Sequence, residues 1–180
     1  MPTLSKHRIV NAPADTVWEI VGRQFDRIGE WATAIPASTA IPACTQTLAA
    51  AGAPAAQAIG DAPVAGRVCR TSVRLVPQIT ERLVAYDDAS RTLTYQAERQ
   101  PHFLRAARNH WRVETVDEYR TRISVHATVQ PRGALGWLGY LLLRVQLARV
   151  AAQSLQDLQH YVEHGRPSPR KQRQLATSKW

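Results

Sequence analysis

Several common chemistries have too few of the residues they need in this sequence. Cys44 and Cys69 are its only cysteines in 180 residues, too few for a disulfide scaffold, and neither lies near a recognisable base that would make it a nucleophile. Neither a GxGxxG nor a GxxxxGK stretch is present to cradle phosphates, and no HExxH motif occurs. His160 and His164 share a helix face at i and i+4, but zinc requires at least a third ligand that the sequence does not supply. They read instead as favourable groups at a helix C-terminus. No metal and no nucleotide cofactor is expected.

Long apolar runs are missing as well. The most apolar segment, residues 133–143, is broken by Arg144 and Arg149, well short of the roughly 20 residues that span a bilayer. No transmembrane helix and no stable membrane insertion are expected. The opening MPTLSKHRIV lacks the apolar centre of a secretory signal, so reduced thiols and a cytoplasmic location are expected. The last fifteen residues contain no acid, yet carry Arg166, Arg170, Lys171, Arg173 and Lys179, more than half of the formal charge of +9. With two prolines and few apolar residues, this 166–180 segment reads as a basic disordered tail. The aromatic residues do not interleave with a basic stripe, which leaves single-stranded nucleic acid without a stacking platform. No nucleic-acid partner is expected.

What is present is an ordinary globular composition, 44% hydrophobic and 21% charged, on a length suited to one domain, here residues 1–165. A short strand over 5–10 leads to Pro13 and Asp15, which suit a first helical turn. Helices follow over 14–21 and 25–31. From 33 to 64 the chain is rich in Ala, Pro and Thr. A strand fits 40–46, and 47–64 reads as an inserted loop. Five antiparallel strands then fit 66–75, 78–86, 92–98, 107–115 and 120–129. In the last, Ile123, Val125, Ala127 and Val129 alternate with polar residues, so one face is buried and one wet. His110 and His126 fall opposite the apolar sets and are expected to face solvent.

A long helix is predicted over 135–163, its apolar positions spaced by three and four. The second half is amphipathic, whereas the first, including Leu138, Leu142 and Val145, is apolar on nearly every side and is expected to form the cavity wall. Gly165 and Pro167 stop it. Strands plus one covering helix make an α+β pattern, and the bulky Trp31, Tyr95 and Trp111 leave an uneven filling between the layers.

Four stretches carry a resemblance: 11–18 (NAPADTVW), 81–87 running into 91–95 (ERLVAYD, RTLTY), 111–113 followed by 121–123 (WRV, TRI), and the helix closing on Tyr161-Val162-Glu163. In order and spacing they resemble the START-like, or SRPBCC, superfamily, and within it the bacterial polyketide cyclase/dehydrase and lipid-transport group. The resemblance implies a helix-grip fold, a curved antiparallel sheet wrapped around the C-terminal helix over a hydrophobic cavity. It also implies either binding or transport of a hydrophobic small molecule, such as a lipid or polyketide-like compound, or a cyclase/dehydratase acting on such a ligand. The long insert departs from the family pattern.

The inward set expected at the cavity comprises Trp31, Glu81, Leu83, Leu93, Tyr95, Asn109, Trp111, Ile123, Val125, Leu138, Leu142 and Val145. Among these Glu81, Tyr95 and Asn109 are the polar members and the candidates for chemistry. A carboxylate in an apolar cavity has a raised pKa suited to proton transfer, while a phenol or amide orients a carbonyl. The register at Glu81 stays open, because Val84 and Tyr86 offer a rival apolar face that would turn Arg82 inward. A peripheral membrane contact through the apolar half of the helix and the basic tail is a third reading.

Overall fold

A computed structural model describes residues 2–43, 59–73, 76–98 and 104–177. Seven strands form one antiparallel sheet: β1 (Thr3–Val10), β2 (Ala37–Ile41), β3 (Gly66–Arg70), β4 (Gln78–Asp87), β5 (Thr92–Glu98), β6 (Leu104–Asp117) and β7 (Arg120–Pro131). Their order is β1-β7-β6-β5-β4-β3-β2. Each neighbour from β2 to β7 follows its predecessor in sequence, so the sheet is a meander of hairpins. The first strand closes on the last, with Val10 opposite Thr121. Between β1 and β2 lie α1 (Ala14–Trp18), a π-helical turn (Glu19–Arg23), a 3₁₀ turn (Phe25–Arg27) and α2 (Ile28–Trp31). The 32-residue α3 (Gly133–His164) covers the inner face and ends at Gly165, whose left-handed φ of 64° lets its N–H reach the Tyr161 carbonyl at 2.9 Å.

Alternation along the strands builds the core. Leu93, Trp111, Val125, Val113 and Ile123 point inward from adjacent strands and join Val17, Trp18, Phe25 and Trp31 from the short helices. At the far end, Leu155 and Leu158 of α3 press on the same cluster. The helical turns are tied to the sheet through Asp88 in the β4–β5 turn. Its carboxylate accepts the Trp18 indole at 2.8 Å, the Tyr86 hydroxyl at 3.0 Å and two bonds from Arg23. Those hydrogen bonds, Arg23 foremost and then Trp18, hold the Asp88 carboxyl below the usual carboxylate range.

Of the two registers weighed for β4, the one that buries Glu81 holds, Arg82 and Val84 facing outward, and only Tyr86, beyond a bulge, follows the rival face. Glu81 and Leu83 point inward, and pairing then shifts between Leu83 and Ala85. The extra residue of this bulge leaves Val84 exposed and turns Tyr86 inward against Trp18, the ring centres 5.5 Å apart. β2 lies earlier than the predicted 40–46. Ser38 holds it there, accepting from the Gly29 N–H at 2.9 Å and donating to the Asp26 carbonyl. β3 ends at Arg70, where the Thr71 N–H bonds to the Pro77 carbonyl across a turn. Of the insert, residues 47–58 lie outside the described residues. Of residues 59–64, Ala62 and Val64 join the main core, while Gly60, Asp61 and Pro63 are exposed.

Within the segment 166–180, which its composition suggests to be a disordered tail, the structure shows a helix, and residues 178–180 lie outside the described residues. Residues Pro169–Thr177 form α4, which docks by polar contacts rather than by apolar area. Asp157 of α3 accepts the Ser168 hydroxyl at 2.9 Å, the Gln153 amide at 3.1 Å and the Thr33 N–H at 2.8 Å. Lys171 is fully buried and its ammonium donates to the carbonyls of Ile35 (2.8 Å) and Pro36 (3.4 Å) and to Gln174 Oε1 (3.1 Å). Composition misses this because a buried lysine with carbonyl partners has the same letter as a solvated one.

Burial lowers the Lys171 pKa from 10.5 to about 8, with Asp157 opposing the shift. Between those two values the unfolded chain binds a proton that the folded chain has released, so stability rises with pH across this window. Urea unfolding at pH 8 and pH 10.5 is expected to show wild type gaining about 2 kcal/mol relative to Lys171→Met. Parallel pH profiles for the two would contradict this.

Candidate functional site

A cavity of about 210 Å³ lies between the sheet and the middle of α3. The sheet gives it Leu4, Glu81, Tyr95, Ala97, Ala107, Asn109, Trp111, Val125, Ala127 and Val129. The helix supplies Leu147, Val150, Ala151 and Ser154, and Ile28, Ala34, Ile35, Thr71, Val73 and Val76 complete the lining of this half-open space. These positions follow from register. Arg67 pairs with Glu81, Glu81 with Ala97, Tyr95 with Asn109, and Trp111 with Val125, so successive strands place their inward side chains in rows across the curved surface.

One end of this cavity is polar. Arg67 Nε donates to Glu81 Oε2 at 2.6 Å, and Nη1 donates to the Phe25 carbonyl at 2.5 Å. The guanidinium stacks 3.9 Å from the Phe25 ring centre and 5.2 Å from that of Tyr95. Both charged side chains are buried. Burial is the largest influence and opposes the charge on Arg67, but Glu81, with Cys69 and Tyr95 adding to it, raises the guanidinium pKa on balance. The Cys69 thiol, 3.8 Å from the same Glu81 oxygen, is pushed up to about 12 by burial, with Arg67 opposing and Glu81 adding to the rise. It is a thiol at neutral pH, not a nucleophile. Burial and then Glu81 raise the Tyr95 phenol well above its ordinary range, leaving it a neutral hydrogen-bond donor. The Trp111 indole lines the cavity; its buried N–H makes no well-formed hydrogen bond among the described residues and has the Tyr95 hydroxyl as its polar neighbour.

Of the residues expected at the cavity, Glu81, Tyr95, Asn109, Trp111 and Val125 line it. Leu83 and Ile123 are buried in the solid core, because they sit further along their strands toward the short helices. Trp31 and Leu93 line a separate void of about 10 Å³ with Trp111 and Tyr95. Leu138 and Val145 are corrections to the expected wall: they are 60% and 53% exposed. A sheet that wraps one side of a helix buries one side only, so residues apolar all round must leave some in water. The side chain of Leu142 lies outside the described residues.

Arg67 was not among the sequence candidates, and with it the character of Glu81 changes. A carboxylate expected to handle protons is the counter-ion of a buried arginine. The signal was the alternation of Arg67 and Cys69 in GRVCR, since a buried cysteine puts the residue two before it on the same face. His110 and His126 lie side by side on the outer face, ring centres 6.4 Å apart, bonded to Thr94 at 3.0 Å and Ser5 at 2.8 Å. His160 and His164 stack at 4.3 Å, and His164 Nδ1 bonds the His160 carbonyl at 3.0 Å. Among the described residues no group of three or more His, Cys, Asp or Glu side chains is placed to hold a metal.

Comparison with solved structures finds this architecture repeatedly. An aromatase/cyclase from Streptomyces sp. R1128 superposes with a TM-score of 0.62 at 19% identity, over 90% of this chain and 93% of that one. A START superfamily protein from Mycobacterium smegmatis gives 0.59 at 13% identity, over 91% and 94%. The di-domain aromatase/cyclase BexL of the BE-7585A biosynthetic pathway gives 0.67 at 18% identity, with 91% of this chain matching 47% of that one. At these identities the likeness is one of fold. Among curated proteins none matches the sequence. The family model described as polyketide cyclase/dehydrase and lipid transport matches residues 1–163. Antiparallel sheet, long covering helix and a mostly apolar cavity between them agree with that match, and the chain belongs to the polyketide cyclase/dehydrase and lipid transport family.

Proposed function

We propose that the protein binds a compact hydrophobic molecule in the cavity between its sheet and α3, with an acceptor group of the ligand turned toward Trp111 and Tyr95. The observation that carries this is a half-open, mostly apolar space with the buried Trp111 indole N–H on its wall, beside the Tyr95 hydroxyl. Such sites combine apolar lining with a few orienting polar groups. An apolar cavity of about 150 Å³ takes a benzene, so 210 Å³ suits a body of about one to two rings or a short acyl segment.

Binding without turnover is favoured over cyclisation because the one buried carboxylate on the wall, Glu81, is held by Arg67 at 2.6 Å. Its carboxylate is committed as the counter-ion of the buried Arg67 rather than left free toward the cavity. The buried free thiol of Cys69 suits a reducing compartment, which supports a cytoplasmic site of action.

A ligand that binds only the folded protein at 100 times its Kd stabilises it by about 2.7 kcal/mol. Thermal melts against a panel of aromatic and short acyl compounds are expected to show such a shift in wild type. Ala97→Phe, which fills the cavity from the sheet side, is expected to abolish it while retaining a cooperative melt. Trp111→Phe replaces the indole with a smaller phenyl ring and removes the N–H, and is expected to weaken ligands that carry a carbonyl about tenfold relative to their carbonyl-free analogues. If no compound shifts wild type, or shifts it equally in Ala97→Phe, the cavity is not the binding site.

A further inference from the structure

We propose that the outward face of the first half of α3 is a docking surface for an anionic membrane. Trp137, Leu138, Leu141 and Val145 are 51%, 60%, 51% and 53% exposed. At about 100° per residue they fall within one wedge roughly 100° wide. Arg144 projects just beyond one edge of that wedge and Arg149 just beyond the other, and both are exposed. The helix therefore presents an aromatic and aliphatic ridge between two guanidinium groups, the pattern of a helix lying in the plane of an interface. Trp137 suits the headgroup boundary, and arginine stems bury along apolar surface while their heads reach phosphate.

Charge selects the occupant. No aspartate or glutamate occurs between Glu118 and Asp157, a stretch that includes Arg120, Arg122, Arg132, Arg144 and Arg149. A second copy docked symmetrically on this ridge would set arginine against arginine with no acid of this segment to offset them. A surface of anionic headgroups laid on the ridge meets the flanking Arg144 and Arg149 with opposite charge, whereas Arg120 is already paired with Asp117 at the β6–β7 turn. The turns that follow the ridge carry the cavity wall on the opposite side of the helix, through Leu147, Val150 and Ala151. A helix lying in the interface therefore brings the cavity next to the membrane.

Flotation of the full chain with vesicles tests this directly. Wild type is expected to float with vesicles in which phosphatidylglycerol makes up about a third of the lipid, to float poorly with phosphatidylcholine alone, and to lose binding as salt is raised. Trp137→Ser/Leu141→Ser is expected to weaken binding at least about tenfold with the melting temperature little changed, because both side chains are already exposed. Arg144→Gln and Arg149→Gln are each expected to cost roughly fivefold. If the serine pair melts lower, Leu138→Ser/Val145→Ser tests the same wedge. The cavity-filled Ala97→Phe should float like wild type, which separates this surface from the ligand site. Three results would overturn the proposal. The first is no flotation of wild type. The second is flotation that survives the α3 substitutions but is abolished by Arg166→Gln/Arg170→Gln/Arg173→Gln. The third is a wild-type dimer that the serine pair converts to a monomer without any lipid binding.

Discussion

Glu81→Leu is expected to lower stability by about 3–5 kcal/mol, which in a chain of this size is a fall in melting temperature of roughly 10 °C. Removing the carboxylate strands Arg67, which is buried, stacked between Phe25 and Tyr95, and left with one carbonyl partner on Nη1. The desolvation cost of the guanidinium remains while the attraction that offsets it is lost. The double variant Arg67→Met/Glu81→Leu is expected to recover most of that loss, because a well-packed apolar pair carries no such cost. Urea unfolding of the wild type, the two single variants and the double variant isolates the coupling. A single variant within about 1 kcal/mol of wild type would mean that water reaches the pair. The series also separates roles: a double variant that is stable but no longer takes a ligand identifies the pair as part of ligand recognition.

Gly66→Ala is the other substitution expected to be severe. A Cβ built at Gly66 would lie 2.3 Å from the Glu81 carbonyl oxygen and 3.0 Å from Arg82 Cα. These are backbone atoms of the paired strand β4, with Gly66 in register with Arg82, so no side-chain rotation relieves the clash. β3 and β4 must move apart, which weakens the ladder and displaces Arg67 from Glu81 at the next position. A loss of about 4 kcal/mol is expected, at the upper end for a single substitution. Gly133→Ala provides the contrast. Its φ is 63°, but nothing lies within 4 Å of the added Cβ, and the expected cost is about 1 kcal/mol. Equal melting temperatures for the two alanine variants would show that the close approach of the strands is not what keeps Gly66 a glycine.

Much of the cavity's sheet side was legible from alternation alone. Tyr95 with Ala97, Asn109 with Trp111, and Val125 with Ala127 and Val129 follow from a period of two, and these residues line the site. The helix side was not. The apolar first half of α3 contains enough leucine to suit either a cavity wall or a surface, and periodicity does not say how far a sheet will curl around a helix. Leu138 and Val145 went to the outside for that reason. Arg67 was hidden differently: an arginine in a strand looks like a surface residue until its partner two strand positions from the bulge is known to face the same way.

By itself, then, the sequence determined the order of elements, the inward face of most strands, and the helix stop at Gly165, since each rests on local backbone geometry and the spacing of apolar residues. Only tertiary structure decided the change of register at Val84, the burial of the Arg67–Glu81 pair, the docking of α4 through Lys171, and which side of α3 meets the cavity. Each of these depends on how much of a residue's surroundings is protein and how much is water, and that is set by groups distant in the chain, whose positions no local pattern encodes.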